Sequence, residues 1–199
     1  MMAQKQMPTR VTFRSKTMPS FSLYENAIHK VLMQYPSIWN KHEILLNNEY
    51  SAVNAMFVVP IVAQFSNGED SETILEKIRD IMYNQSFTAV VLSLKRLPVH
   101  ETHTLQDVTN DHIHTLGMCF DNVNLLETSY DYNMAEMPAS KLIYTYTDPL
   151  QNHLKKEGMQ IISVKSHKEI AITYSSQSQD FDRFLPTVHR MIDTLSIEV

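Results

Sequence analysis

Glycine is scarce in this chain, and the positions of its glycines exclude two large classes of nucleotide-binding protein. Only three of the 199 residues are glycine, namely Gly68, Gly117 and Gly158. A phosphate-binding loop needs closely spaced glycines, because backbone amides must approach the phosphate without interference from a Cβ atom. The three glycines are far apart, so the chain has neither a dinucleotide-binding fingerprint nor a P-loop.

Cysteine and long apolar runs are also scarce. The single cysteine, Cys119, excludes an intramolecular disulfide and any zinc or iron–sulfur site that needs several cysteines. Its neighbours Met118 and Phe120 predict that the thiol is buried and unreactive. No stretch approaches the roughly 18 apolar residues of a transmembrane helix, and the first residues lack the apolar centre of a secretory signal. We therefore expect a chain that is soluble as written, and its compartment stays open.

Positive charge is limited and is interspersed with negative charge, except at the start of the chain. Seventeen Lys and Arg residues oppose 22 Asp and Glu residues, which gives a formal net charge of −5. Without a basic stripe to neutralise phosphates, nucleic acid is not an expected partner. The basic residues of the first segment are Lys5, Arg10, Arg14 and Lys16. We predict that residues 1–20 form a flexible basic arm and that residues 21–199 form one domain.

Hydrophobic periodicity predicts a chain rich in β-strands. The predicted strands cover residues 21–24, 28–34, 52–59, 89–97, 125–132, 141–147, 159–165 and 170–175. The last four are predicted to form an antiparallel meander, because the link between residues 165 and 170 is too short for a crossover helix.

Three segments have the spacing of amphipathic helices, over residues 71–82, 104–117 and 181–195. The middle helix begins with a predicted capping box at Thr104 and Asp107, and Gly117 is predicted to end it in the left-handed conformation. Strands that do not alternate regularly with helices favour an α+β fold. We therefore predict a twisted, mainly antiparallel sheet sandwiched between helices.

Several short motifs resemble those of one known family. The run Tyr35-Pro36-Ser37-Ile38-Trp39 resembles the YPxxW element near the start of PsbP-like domains. Later pieces follow in the order found in that family: Thr104-Leu105, Pro138-Ala139 ahead of Tyr144 and Tyr146, Ala171 to Tyr174, and Phe181 to Ile197. The resemblance covers residues 21–199 and depends on the order and spacing of these pieces.

The resemblance implies both a fold and a kind of function. PsbP-like proteins resemble in fold a Ran-binding nuclear import factor, with a twisted antiparallel sheet between helices. Photosynthetic members are extrinsic subunits or assembly factors on the lumenal side of photosystem II, where they support retention of calcium and chloride by the manganese cluster. The resemblance thus implies a non-enzymatic binding or assembly protein, expected to be a monomer, whose partner is a protein or a membrane-associated complex.

A second hypothesis is a divalent-metal site on the middle helix. His103, Asp107, Asp111 and His114 have the i, i+4, i+8 and i+11 spacing that would place them along one helix face. Imidazole and carboxylate together suit zinc or manganese, and calcium is a further possibility. His103 with Asp107, and Asp111 with His114, are the predicted chelating pairs. The alternative is a polar helix face that contacts only water.

A small enzyme is the third hypothesis, although the sequence has neither a nucleophile elbow nor a paired-carboxylate signature. Two further side chains are predicted to have structural roles. His112 is predicted to lie at the edge of the core with its ring bonded to backbone, and Trp39 is predicted to pack the first turn against the sheet.

Overall fold

The structure is a computed structural model that describes residues 20–27, 29–44, 51–59, 88–100, 103–149 and 153–198. The predicted helix over residues 71–82 lies outside these ranges, as does the predicted basic arm up to residue 19.

The described residues form ten strands and two helices. In chain order these are β1 (Phe21–Asn26), β2 (Val31–Pro36), β3 (Asn40–Ile44), β4 (Ser51–Val58), β5 (Ala89–Arg96), α1 (Leu105–Cys119), β6 (Asp121–Met134), β7 (Met137–Asp148), β8 (Leu154–Lys165), β9 (Lys168–Gln177), α2 (Ser178–Asp193) and β10 (Ser196–Ile197). One sheet has three strands in the order β1-β2-β10, and the other has seven in the order β3-β4-β5-β9-β8-β7-β6. Every strand pairing between described residues is antiparallel. The predicted α+β class is confirmed.

The predicted meander is present, and the turns from β6 to β7 and from β8 to β9 are tight. Strands β6 to β9 are consecutive antiparallel neighbours. Ser166 and His167, between β8 and β9, have φ angles of 50° and 56°, and Ala135 and Glu136, between β6 and β7, have 50° and 62°. Two successive positive φ angles are the geometry in which a two-residue turn matches the twist of its strands. The strands therefore continue up to the turns and are longer than the apolar alternation alone indicated.

Helix α1 begins where the sequence predicts and ends later. The Thr104 hydroxyl accepts from the Asp107 amide, and the Asp107 carboxylate accepts from the Thr104 amide, so the capping box is confirmed. Gly117 does not end the helix, because the backbone stays helical to Cys119 and the Phe120 amide donates to the carbonyl of Leu116 at 3.0 Å. The extra half turn exposes the Cys119 thiol. The prediction that this cysteine is buried is wrong.

The seven-stranded sheet has a core on each face. Along β9, Ile170, Ile172 and Tyr174 face the core that also contains α2 and the three-stranded sheet, whereas Ala171 faces the core under α1. This alternation follows from the period of two along a strand. The sheet is therefore sandwiched between helices, as predicted.

Trp39 packs against helix α2 within the core that both sheets share. Its side chain is 5% exposed and meets the ring of Phe184 on α2 edge to face, with 6.1 Å between the centroids. Trp39 also belongs to the buried cluster that contains Phe57 of the sheet, and α2 is a further partner that the sequence did not predict. Within the described part of the chain, neither helix is long and apolar enough to cross a membrane.

Candidate functional site

A groove runs between α1 and the face of the seven-stranded sheet beneath it. It contains two cavities, of about 450 Å³ and about 260 Å³. His112 and Thr115 of α1 line both cavities, so the two adjoin along the helix. We call the two cavities together the α1 groove; the larger one is its charged end and the smaller one its ring end.

Two buried hydroxyl groups fix the helix above the sheet. The Thr109 hydroxyl donates to the carbonyl of Leu105 at 2.6 Å and lies 2.7 Å from the hydroxyl of Ser140 on β7. Both side chains are fully buried. A threonine hydroxyl has one hydrogen, which here is used by Leu105, so Ser140 must be the donor to Thr109. This bond holds α1 at a set height over the floor of the groove.

The charged end is organised around Glu169 of β9. Its side chain is 9% exposed, and its Oε1 lies 2.8 Å from Nε2 of His112. Lys95, its pairing partner on β5, approaches Oε2 at 3.7 Å. Burial acts to raise the pKa of Glu169, but the hydrogen bond and charge of His112, together with the charge of Lys95, outweigh it and lower the pKa. His112 therefore bonds to a carboxylate, which corrects the predicted backbone partner.

The ring end is walled by aromatic side chains. The rings of Phe120 and Tyr146 lie 4.3 Å apart, and those of Tyr144 and Tyr146 lie 5.6 Å apart. Burial raises the pKa of Tyr146 to about 12 and raises that of Tyr144 as well, so both phenols are neutral at physiological pH. A Cβ at Gly158 would lie 2.5 Å from Cζ of Tyr144, so the glycine lets this ring lie directly on strand β8.

Gln160 forms part of the floor at the ring end. It sits on β8 between Leu142 of β7 and Thr173 of β9, and it is 8% exposed. Its Oε1 is buried and has no hydrogen-bond partner in the part of the chain that the structure describes. Buried polar atoms in proteins are nearly always paired, which makes this oxygen an exception. Sequence reasoning missed Gln160, since no motif marks it and its surroundings come from three different strands and α1.

Three of the four residues of the predicted metal site lie on α1. His103 lies before the N-cap residue and is outside the helix. The carboxylate of Asp107 lies 2.6 Å from the Thr104 hydroxyl, and hydrogen bonds from Thr104 lower the pKa of Asp107. Asp111 and His114 both lie on α1 and are exposed.

Only part of the predicted metal set shares one cavity. His103 and Asp111 line the charged end of the α1 groove, and Asp107 and His114 are not among its lining residues. Within the described ranges, no group of three or more His, Cys, Asp or Glu side chains is placed to hold a metal ion. Binding of zinc, manganese or calcium at these positions stays a prediction.

Several solved structures share the fold. LpqN, involved in cell envelope biogenesis of Mycobacterium tuberculosis, has a TM-score of 0.56 and 8% identity, with 92% of this chain and 93% of LpqN covered. The cyanobacterial PsbP of Synechocystis has a TM-score of 0.53 and 11% identity, with 94% and 98% covered. The Ran-binding protein Mog1p of Saccharomyces cerevisiae has a TM-score of 0.53 and 6% identity, with 90% and 96% covered. No family model and no curated protein matches this chain.

These similarities confirm the fold inferred from the sequence motifs. The chain has the PsbP-like fold, which it shares with a Ran-binding protein, and the similarity extends over nearly the whole of each chain. Because the identities are so low, the comparison establishes the fold alone, and function has to be argued from this chain's own residues.

Proposed function

We propose that this chain is a non-enzymatic binding protein that contacts a protein partner, free or within a membrane-associated complex, through strand β6. The PsbP-like fold supports a binding role, since the structures that share it include one named for Ran binding. The position and surface of β6 supply the specific argument.

The observation that carries the proposal is a set of exposed apolar side chains on an edge strand. Strand β6 is the last of the described strands in the order of the seven-stranded sheet and pairs only with β7 there. Leu125, Leu126 and Tyr130 are exposed within ten residues of one another along this strand. Exposed apolar side chains grouped in this way are typical of surfaces that another protein covers.

The strand also limits how a partner can bind. Its pairing with β7 is irregular at three places, between Asp121 and Asn124, Leu125 and Glu127, and Ser129 and Tyr132. Such bulges discourage a foreign strand from extending the sheet, so side chains are expected to make most of the contact. Asp121 and Asp131 flank the apolar residues, which favours a partner with an apolar centre and a basic rim.

Charge placed on this strand should weaken partner binding. We expect Leu126→Glu to weaken binding at least about tenfold, because a carboxylate would have to be buried against an apolar surface. The matched control is Leu23→Glu on β1, because Leu23 is 60% exposed and Leu126 is 55% exposed. Partners captured from native cells would be purified, and their dissociation constants measured with both variants by calorimetry.

The two variants separate the proposal from a general effect of added charge. A purified partner that binds wild type and Leu23→Glu equally, but binds Leu126→Glu poorly, supports it. Equal binding by Leu126→Glu and wild type would show that β6 is not the contact surface. Turnover of a substrate by the purified chain would contradict the non-enzymatic role.

A further inference from the structure

We propose that the ring end of the α1 groove binds a neutral aromatic ring that carries an N–H or O–H donor, with Gln160 as the acceptor. This site goes beyond the proposed function and does not depend on it, because β6 and the ring end are different surfaces. The ring could belong to a small molecule or to a tryptophan or tyrosine side chain of a peptide, and the chemistry is the same.

The first argument is the unpaired oxygen. Gln160 is nine-tenths buried and lines the ring end, and its Oε1 has no partner among the described residues. A buried acceptor without a donor carries a desolvation cost that the folded chain does not recover. The terminal amide has a broad torsional minimum and can turn toward the cavity. A ligand that donates a hydrogen bond to it would therefore remove an existing cost, which favours binding.

The second argument is the shape and character of the walls. The ring end has a volume of about 260 Å³, and Leu116, Phe120, Tyr144 and Tyr146 contribute its apolar surface. Aromatic walls favour an aromatic guest in stacked or edge-to-face contact. A cavity of this kind, apolar with a few polar groups that fix orientation, is typical of small-molecule sites.

The third argument concerns charge. Apart from His112 at the junction with the charged end and the thiol of Cys119, the ionisable groups among the described residues that line the ring end are the phenols of Tyr144 and Tyr146, and burial raises the pKa of both. An ionic guest would lose its hydration without gaining a counter-ion. The hydroxyl of Thr173 on the floor can instead bond a second polar atom of a neutral guest. The site therefore selects a neutral ring.

The test is a titration of the isotopically labelled full chain followed by two-dimensional NMR. The probes are indole, phenol and N-acetyl-tryptophanamide, with toluene as the ring that lacks a donor. We expect saturable shifts of the Gln160, Thr173 and Ser175 amides, with toluene bound at least about tenfold more weakly than phenol. Tighter binding of indole would indicate a free small molecule, and tighter binding of N-acetyl-tryptophanamide would indicate a side chain of a peptide.

Gln160→Leu is the decisive variant, because it keeps the volume and removes the acceptor. We expect it to weaken indole binding at least about tenfold and to melt at the same temperature as wild type or higher, because it removes an unpaired buried polar group. Gln106→Leu, at an exposed position of α1, is the matched control and should bind indole as wild type does.

A second readout needs no substitution. Cys119 is the only cysteine of the chain and lines the same cavity, so a bound ring should slow its reaction with a thiol reagent at least about twofold. The proposal is overturned if no probe gives saturable shifts and none protects Cys119. It is equally overturned if toluene binds as well as phenol, or if folded Gln160→Leu binds indole as tightly as wild type.

Discussion

At the scale of single residues, the charged end of the α1 groove places a carboxylate where little water reaches it. Glu169 is held by His112 from the helix and by Lys95 from the neighbouring strand. Each contact favours the ionised form, and together they outweigh the effect of burial on its pKa. The negative charge of Glu169 on β9 therefore links this strand to α1 and β5.

This lowered pKa predicts how stability depends on pH. Glu169 binds its proton less tightly in the folded chain than in the unfolded chain. Its contribution to the stability of the fold is therefore fully present above pH 4.5, the ordinary pKa of the group, and is lost as the pH falls through the lower pKa of the folded chain. We expect Glu169→Gln to lose about 1 kcal/mol of unfolding free energy at neutral pH, because a neutral amide is the weaker acceptor. The loss should shrink as the pH is lowered below 4.5. Urea unfolding at a series of pH values measures the loss at neutral pH and its decrease at low pH.

Glu127→Gln is the control for that experiment. Glu127 pairs with Lys141 at 2.6 Å, but its side chain is largely exposed, so its loss should change stability little at any pH. Parallel pH profiles for wild type and Glu169→Gln would contradict the role given to Glu169.

Residue-level features of the groove were the least accessible to sequence reasoning. Gln160 and Glu169 are buried because strands distant in sequence and α1 meet around them, and no local pattern carries that information. The Cys119 thiol was predicted to be buried because both of its neighbours are apolar. Of these two neighbours, only Phe120 turns inward, where it contacts Tyr146. The continuation of α1 past Gly117 decided which way each side chain points.

At the scale of elements, α1 is attached to the sheet through a polar contact inside an apolar core. The Thr109 and Ser140 side chains are both fully buried, and their hydroxyls lie 2.7 Å apart. Forming such a bond adds little net stability, but leaving either hydroxyl buried without a partner is costly. The bond therefore fixes the position of α1 on the sheet.

This attachment predicts a non-additive pair of substitutions. Thr109→Val should cost about 1 to 3 kcal/mol, since it leaves the Ser140 hydroxyl buried without an acceptor. The double variant Thr109→Val with Ser140→Ala should cost less than the sum of the single variants by about 1 kcal/mol. Chemical denaturation of the four proteins gives the coupling energy directly.

Thr115→Val is the matched control for the helix. Its hydroxyl makes the same type of bond, to the carbonyl of Asp111 at 2.8 Å, but it is exposed. We expect a change within about 0.5 kcal/mol. Additive costs for Thr109 and Ser140 would show that their contact does not contribute to holding the helix.

Most elements were predictable because their signals are local. The capping box at Thr104 fixes the start of α1 without tertiary information. The alternation along β7 to β9 and the short turn between β8 and β9 fix antiparallel neighbours in the same way. The division into two sheets was not predictable in this way, because β10 pairs with β2 across most of the chain.

At the scale of the whole molecule, one core joins both sheets. Tyr24 and Met33 of the three-stranded sheet, Phe57 and Ile172 of the seven-stranded sheet, and Val188 of α2 belong to a single cluster of buried side chains. Neither sheet can lose this contact without exposing the other. The two sheets should therefore unfold together, and a single domain over residues 21–199 stays a prediction.

The single tryptophan allows this to be tested. Trp39 lies in the link from β2 of one sheet to β3 of the other and contacts α2, so its fluorescence reports the junction, and far-ultraviolet circular dichroism reports the whole chain. We expect the two signals to give the same midpoint in guanidinium chloride, as a two-state transition requires. A fluorescence change at clearly lower denaturant would show that the junction separates first.

The pairing of β10 with β2 also has a consequence for the order in which the chain can fold during synthesis. Lys30 and Glu198 are 168 positions apart, yet Lys30 Nζ lies 2.7 Å from a carboxylate oxygen of Glu198, and the Glu198 amide donates to the carbonyl of Lys30. While the ribosome is still making the later strands, β2 has only one neighbour in its sheet, and α2 is not yet there to cover Trp39. The β1–β2 hairpin, which is synthesised first, therefore completes its sheet only after the segment near residue 197 has been made. Until then its inner face is exposed to any chaperone that binds apolar surface.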